Sequence, residues 1–580
     1  MTRILTYAVL LAALTLSFSC GKEAFELDLP RTGEVRVPLY GLFETSVTNK
    51  SRYSNPFSDV TLNASFTSPS GRVVRFWGFY DGINLWRQRF MPDELGTWFY
   101  SLNFSDGWPG EVGSFECVEK GSLPGPWKQD PDNPRWLTDS HGEHFLPLAV
   151  FADCHLTPTD WRDMIAWCEA RGYNTLVVPN FNTTVWGDGW GNRTAWATKP
   201  SEKAEFVKED LHKIVNYQRF NLPMWREWDE MIRTAAAAGI YLGSFEGPCG
   251  KFGGQEKGKY PPDELVFEPR IHDRFDSETN ISLMRYFLAR QAAFWNVAYW
   301  SLGNTEVFDY CVDDKQEFLE YGRFFASLTP FGRMITAQDC EQWHNEDRRW
   351  LSELDIPDSR KLNTVQTAVG NYSNPEWQKA SLNNALALDT WASPPESGGF
   401  PVIVTEGLWE GQARAEKPLK IIWSFYAAGA HTVWADWRYE NNDHTYGSIG
   451  RSWAPAKPLE RHLFGLRQLG ADCVGDEQLA LAAEHIKRYE YWKMEPHNEL
   501  VQGGGEAYCL AEPGRQYMVY APAGGKISLD LSEATGKLSA RWFDPRDGSY
   551  GEPFTVSGGG VGTFTAPGAE DWVLSIGAGQ

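Results

Sequence analysis

Hydrophobic and polar positions change rhythm twice along this chain. From about 25 to 120, apolar and polar residues alternate at a period of two, as in "VRVPLYGLFETSVTNKSRYSNPFSDVTLNASFTSPSG", broken by Asn-Pro and Pro-Ser-Gly turn signals. Successive side chains on a strand face opposite ways, so this stretch predicts short strands with one buried face, stacked as a β-sandwich. From about 135 to 470 the apolar runs become continuous and are separated by amphipathic stretches, which predicts βα units and a parallel sheet. Eight runs fit strands: 144–151, 173–181, 240–247, 297–304, 333–340, 362–370, 400–407 and 431–438. Between them, "TPTDWRDMIAWCEARG" reads as a helix begun near Thr157 or Thr159 and ended at Gly172, and "PMWREWDEMIRTAAAAG" runs from a Pro to Gly239. Eight such units predict a closed (β/α)8 TIM barrel; a doubly wound sheet would show fewer strands and a Gly-rich phosphate turn. From about 473 to 580 the strand–turn rhythm returns without helices, in "QYMVYAPAGGKISLDL" and "LSARWFDPRDGSY". The expected fold is therefore multidomain: a central barrel flanked by an N-terminal β-sandwich and a C-terminal all-β domain.

The first twenty residues belong to none of these. "MTRILTYAVLLAALTLSFSC" has one Arg and an apolar stretch too short to span a bilayer, the pattern of a signal peptide. A cysteine directly after "SFS" resembles a bacterial lipoprotein signal, in which Cys20 carries the lipid; Ser17, where Leu is usual, keeps plain secretion as the alternative. The expected location is the bacterial cell envelope, as an outer-membrane lipoprotein. Eight further cysteines permit disulfides, but a chain of this size does not need them, and no C-x-x-C or H-x-x-x-H pair supports a zinc site.

Charge excludes one class of partner. With 54 Lys and Arg against 76 Asp and Glu, the net charge is −22, so a nucleic acid would be repelled. Composition adds a second hint: 27 Trp, 23 Tyr and 33 Phe accompany an ordinary hydrophobic share of 42%. Flat rings stack on the C–H faces of sugars, although large aromatic cores in β-rich modules account for such an excess equally well.

Catalytic groups of a barrel come from the C-terminal ends of its strands. Those ends carry Asp153, His155, Asn180, Glu246, Asn304, Glu306, Asp339, Gln366, Glu406 and Asp436. Glu306 follows the fourth strand in "YWSLGNTEVFDY", and Glu406 ends the seventh in "FPVIVTEG". Strands four and seven face each other across a barrel mouth, and a glycosidic bond is cut by two carboxyl groups flanking the anomeric carbon. One donates a proton to the leaving oxygen; the other attacks or activates water. Trp300, Phe308 and Tyr310 are candidates for the apolar surround that keeps Glu306 protonated. Trp186 and Trp190 lie in a long Gly- and Asn-rich loop after the second strand, and His344 follows the fifth; all three are cleft-lining candidates. Asp339, Glu341 and His344 are cation-binding types, but nothing fixes their mutual geometry, and no metal or other cofactor is expected.

Three stretches carry a family resemblance. "FTSPSG", "GFYDG" and "RFMPDELGTWFY", in that order, closely resemble a sandwich domain of unknown function found ahead of bacterial glycosidase barrels. "FLPLAVFADCHLTPTDWRDMIAWCEARGYNTLVV" (145–178) resembles the opening of apiosidase-like barrels, within the large clan of retaining barrel glycosidases. "ARWFDPRDGSY…FTAPGAEDWVLSI" resembles a C-terminal module named for collagen binding. The resemblance implies a (β/α)8 glycoside hydrolase in which the seventh-strand Glu406 is the nucleophile and the fourth-strand Glu306 the acid/base. Asn304 would then bind the sugar 2-hydroxyl, and a tryptophan after the eighth strand (Trp434 or Trp437, beside Asp436) would floor the subsite. The clan motif reads Asn-Glu where this chain reads Asn-Thr-Glu; Thr305 is inserted, and Asp309 is the reserve acid. The expected activity is hydrolysis of a plant, algal or microbial poly- or oligosaccharide, and the competing expectation is a carbohydrate-binding protein on a degenerate barrel.

Overall fold

The structure is a computed structural model, which describes residues 35–119, 121, 123–151, 158–178, 195–198, 215–244, 275–303, 315–340, 350–366, 400–411, 418–437 and 474–577. Two sheets form the N-terminal region. One contains Arg36–Pro38, Glu111–Val118, Gly96–Phe104, Leu62–Thr67 and Val73–Trp77 in that order; the other contains Phe43–Thr48, Leu85–Phe90 and Phe79–Tyr80. Their inner faces meet through aromatic rings, with Phe66 stacked on Phe90 at 3.9 Å and Phe43 on Phe115 at 4.3 Å between centroids. The period-two alternation is realised directly: Leu62, Ala64 and Phe66 are buried and Asn63 is exposed.

Gly82, Ile83 and Asn84 form the turn between two of these strands, and all three have positive φ. For Ile83 this is costly, because its branched Cβ crowds the backbone at φ 49°, and its side chain is 95% exposed and regains nothing by packing. Ile83→Asn is expected to stabilise the protein by about 1 kcal/mol, read as a higher urea midpoint; an unchanged or lower midpoint would count against the strain.

The middle region holds a sheet of nine parallel strands. They are β1 (Ala149–Phe151), β2 (Thr175–Val178), β3 (Tyr241–Ser244), β4 (Val297–Ser301), β5 (Met334–Thr336), β6 (Gln338–Cys340), β7 (Asn363–Gln366), β8 (Val402–Gly411) and β9 (His431–Trp437). Their order is β5-β4-β3-β2-β1-β9-β8-β7-β6. The two ends of this order, β5 and β6, are consecutive in the chain and separated only by Ala337. Further bonds join the ends. Ile335 bridges Lys361, Thr364 donates its backbone N–H to Thr336 Oγ1 at 3.1 Å, and the two threonine hydroxyls lie 2.9 Å apart. Helices α1 (Pro158–Arg171), α2 (Leu222–Ala237), α3 (Glu278–Gln291), α4 (Lys315–Ser327), α5 (Trp350–Glu353) and α6 (Pro418–Ala427) fall between successive strands. Gly172 and Gly239, both at φ 73°, end α1 and α2 in the left-handed conformation a glycine adopts without strain. Strands covered on both faces need apolar side chains on both, which explains the continuous runs.

Beyond the expected run 333–340, which is broken at Ala337 into β5 and β6 and so makes nine strands of eight, two expected strands differ. Only the last three residues of "HFLPLAVF" join the parallel sheet; His144–Phe145 pairs antiparallel with Leu137–Thr138, in a small sheet that also holds Lys128–Gln129. Pro147, lacking an N–H, lies between the two pieces. The same segment closes the N-terminal edge of the parallel sheet. Trp127 lies 5.3 Å from Tyr241, the first residue of β3, whose hydroxyl donates to the Gly125 carbonyl; Trp136 lies edge-on to His431, the first residue of β9. The second difference concerns β8, described below.

The C-terminal region, expected to hold no helix from 473 on, begins with one: α7 (Gly475–Ile486), whose apolar positions Leu479, Ala482, Ala483 and Ile486 are buried, leads into two sheets of six and three strands spanning Glu495–Ile576. Trp423 of α6 packs against His485 of α7 and against Tyr520 and Phe543 of the six-stranded sheet. This module is thus docked on the helical layer of the parallel sheet. Among the described residues many of the large aromatics serve such cores and joints: Trp86, Trp98, Trp127, Trp136, Trp225, Trp300, Trp423 and Trp434 are all fully buried.

Two of the buried groups make the fold acid-sensitive. Burial drives the His431 and His485 imidazoles down to about 3. In the unfolded chain they titrate near about 6.5. Between these values the unfolded state binds more protons, so stability falls as pH drops below about 6.5, by about 1.4 kcal/mol per pH unit for each imidazole. The ring nitrogens of His431 have no partner among the described residues. His431→Leu is therefore expected to fold and to lose about half of the acid slope, measured as urea midpoints from pH 7 to pH 4; an undiminished slope would sink this account.

Candidate functional site

Because all nine strands run parallel, every chain segment that leaves a strand's C-terminal end leaves from the same edge, opposite the Trp127 and Trp136 closure. Phe151, Val178, Ser244 and Gly303 are the last described residues before the segments bearing Asp153 and His155, Asn180, Glu246, and Asn304 with Glu306. Those six residues, with Asp309, Trp186, Trp190, His344 and Cys20, lie outside the described residues.

Five predicted positions, Asp339, Gln366, Glu406, Asp436 and Trp437, are fixed by their backbone in adjacent strands of one stretch of this edge. Asp339 pairs with Val365, Gln366 with Glu406, Glu410 with Asp436, and Gly411 with Trp437. The sequence suggests that the seventh strand stops at Glu406; instead β8 continues to Gly411, and Glu406 lies inside it. Glu406 sits where the register breaks on both sides. Toward β7 the pairing steps from Val365–Val404 to Gln366–Glu406, skipping Thr405. Toward β9 it steps from Val404–Thr432 to Leu408–Trp434, leaving two extra residues on β8. A bulge of this kind bends a strand and re-aims its side chains, and bulges concentrate at barrel rims and beside active sites. Extended pairing ended by a polar residue is all the sequence reveals; a bulge has no signature in "VTEGLWEG" beyond Gly407.

Two aromatic residues are elsewhere than expected. Trp434, predicted to floor a sugar subsite, is 1% exposed and stacked on Trp167 of α1, with centroids 5.7 Å apart and planes 18° apart. An indole enclosed between strand and helix has no free face for a sugar. Trp300, predicted to surround Glu306, packs against Phe287 of α3 at 4.8 Å, again in the helical layer.

The structure also brings in residues that sequence reasoning missed. Ser301 Oγ donates to the Gly303 carbonyl at 2.7 Å and accepts from the Gly303 N–H at 3.2 Å, tying off β4 one residue before Asn304. Thr336 and Thr364, both buried, link the two ends of the sheet as described. Small hydroxyl residues within strands read as ordinary strand formers, so no sequence signal marks them. Among the described residues, no cluster of three His, Cys, Asp or Glu side chains could hold a metal ion.

Buried carboxylates join the N-terminal sandwich to α2 and α3. Asp229 of α2 receives Arg89 of the sandwich at 2.8 Å and also Arg290 of α3. Arg290 reaches Asp81 of the sandwich at 3.0 Å, and Arg89 reaches Glu44 at 2.6 Å. Desolvation opposes charge on Asp229, but the two guanidinium groups outweigh it and hold the carboxyl below the usual range.

A family model described as "Domain of unknown function (DUF5060)" matches residues 36–105, and one described as "Putative collagen-binding domain of a collagenase" matches residues 496–576. No curated protein matches the sequence. Among solved structures, the chain is similar to a "putative glycoside hydrolase" from Bacteroides vulgatus ATCC 8482, at 17% identity and a TM-score of 0.68, over 94% of this chain and 99% of that one. It is also similar to a glycoside hydrolase family 5 structure from the same organism, at 17% identity and a TM-score of 0.51, over 77% of this chain and 93% of that one. A third, described only as a glycoside hydrolase, has 16% identity and a TM-score of 0.52, over 79% and 97%. At such identities the likeness is one of fold: a multidomain chain with a parallel central sheet between all-β N- and C-terminal regions.

Proposed function

We propose that this protein is an exported glycoside hydrolase built on a closed (β/α)8 barrel, cleaving a poly- or oligosaccharide with two carboxyl groups. Closure is supported by the sheet order, whose ends are the two halves of one interrupted strand bonded across Thr336 and Thr364. The observation that carries the function is the double register break at Glu406, on the edge from which the chain also leaves β4. In this reading Glu406 attacks the anomeric carbon, and Glu306, or Asp309 in its stead, protonates the leaving oxygen and later activates water. Net retention of configuration would follow. Asn304 would bind the 2-hydroxyl, whose hydrogen bond tightens as the oxocarbenium-like transition state forms. Asp153, His155, Asn180, Trp186, Trp190, Glu246, Asp339, His344, Asp436 and Trp437 are the proposed sugar contacts. Solved glycoside hydrolases of like fold agree with this reading.

The test is release of reducing ends from a panel of plant, algal and microbial glycans, with NMR of the first-formed anomer. Turnover with retention is expected. Glycan binding with no turnover on any member would instead favour a carbohydrate-binding protein on a degenerate barrel, which the inserted Thr305 favours.

Lipid attachment at Cys20 belongs to the same proposal. Cys20→Ser is expected to move the protein from the membrane to the soluble fraction of cells; a wild type already soluble would leave plain secretion.

A further inference from the structure

The connection from β2 to α2 is the long loop in which sugar contacts are proposed, and part of it is a described hairpin, Trp196–Thr198 paired with Val215–Phe220. It leaves the C-terminal end of β2 and returns to the N-terminus of α2, so both its ends lie on the edge of the candidate site. The N-terminal sandwich grips this hairpin. Asn55 Nδ2 donates to the Gln218 carbonyl at 2.7 Å, and Arg219 donates back to the Ser54 carbonyl at 2.7 Å. Phe57 lies edge-on to Phe220 at 5.4 Å, and Phe220 is stacked on Tyr286 of α3 at 4.0 Å.

We propose that the N-terminal sandwich, a domain to which no role is attached, is a positioning element for substrate: its Ser54–Phe57 loop fixes the 215–220 strand and thereby sets affinity for the glycan. This rests on the glycosidase reading. The physical ground is that the grip is more specific than stability requires. The sandwich is already held by the buried Arg89–Asp229–Arg290 ions, whereas the Asn55 and Arg219 bonds are solvent-exposed backbone contacts confined to the hairpin. Exposed hydrogen bonds contribute little to global stability but fix local geometry, and ordering a binding loop beforehand lowers the entropy lost when ligand arrives.

The test uses the full chain with Asn55→Asp, which keeps the acceptor that Asn55 Oδ1 offers to the Phe57 N–H and removes the donor to Gln218, combined with Arg219→Ala. Hydrogen exchange of the 215–220 amides is expected to rise, and KM for the best glycan of the panel to rise about tenfold. kcat and the melting midpoint are expected to hold, and Arg219→Lys to restore part of the KM. Faster exchange with an unmoved KM overturns the proposal, leaving the grip structural only; unchanged exchange overturns the grip itself. An inactive wild type that binds no glycan overturns the glycosidase reading and this proposal together, whereas an active wild type with unmoved KM overturns this proposal alone.

Discussion

Asp229→Ala is expected to destabilise the protein by about 3–5 kcal/mol and to loosen the N-terminal sandwich from the parallel sheet. The carboxylate is buried and accepts from two buried guanidinium groups, one from each side of the joint. Removing it leaves Arg290, which is 0% exposed, with Asp81 as its one carboxylate beside the Tyr286 hydroxyl, and Arg89 with Glu44 as its one carboxylate beside the Arg290 carbonyl. Excess buried positive charge is what makes the loss large; Coulomb attraction within an intact buried pair is mostly offset by desolvation. Hence the triple variant Arg89→Met, Asp229→Leu, Arg290→Met is expected to recover most of the loss, since apolar groups replace the three most buried charges while Asp81 keeps Arg87 and Arg226, and Glu44 keeps Arg87 and Arg233. Acid gives the same result by another route. The Asp229 and Asp81 carboxyls are held below their ordinary range by the arginines, so the stability they contribute is present above about pH 4 and is lost as pH falls through their folded values. Urea midpoints with tryptophan fluorescence measure both effects. An unchanged midpoint in Asp229→Ala would mean that the joint is held by its aromatic contacts instead.

Glu406→Gln is expected to lower kcat on the preferred glycan by on the order of 10⁴-fold, with KM nearly unchanged and with no loss of fold. The amide matches the carboxylate in shape but neither attacks an anomeric carbon nor stabilises its developing charge. Glu406→Ala provides the sharper discrimination, because it leaves room for a small external nucleophile. Azide would then attack the face that Glu406 served and give a glycosyl azide of inverted configuration. In the corresponding Glu306 variant, azide attacks the glycosyl-enzyme and gives a retained product. If Glu406→Gln keeps near-normal turnover, the bulge in β8 serves the sheet rather than the chemistry, and the two-carboxylate proposal fails at its first residue.

Much of the architecture was legible before any coordinate. The period-two text of residues 35–118 gave strands because alternate burial needs alternate polarity, as Leu62 to Thr67 illustrate. Glycines at 172 and 239 marked helix ends because a left-handed residue is needed there. The site was legible only as a set of strand ends. The apolar run ending at Glu406 gave the strand and not the bulge, because a register break depends on both neighbouring strands, β7 and β9.

What the sequence by itself determined is the kind and order of most elements: sandwich, alternating strands and helices, and a final β-module, but not the helix α7 on which that module is docked. What only the tertiary structure decided is which layer each buried group faces. In strands covered on both sides, both faces are apolar, so periodicity reports that Trp434 and Trp300 are buried without saying against what. They turned outward, to Trp167 and Phe287. The Arg89–Asp229–Arg290 joint was equally invisible, since its members stand far apart in the chain and each alone reads as an ordinary surface charge; their pairing is a property of the folded contact and has no local pattern to announce it.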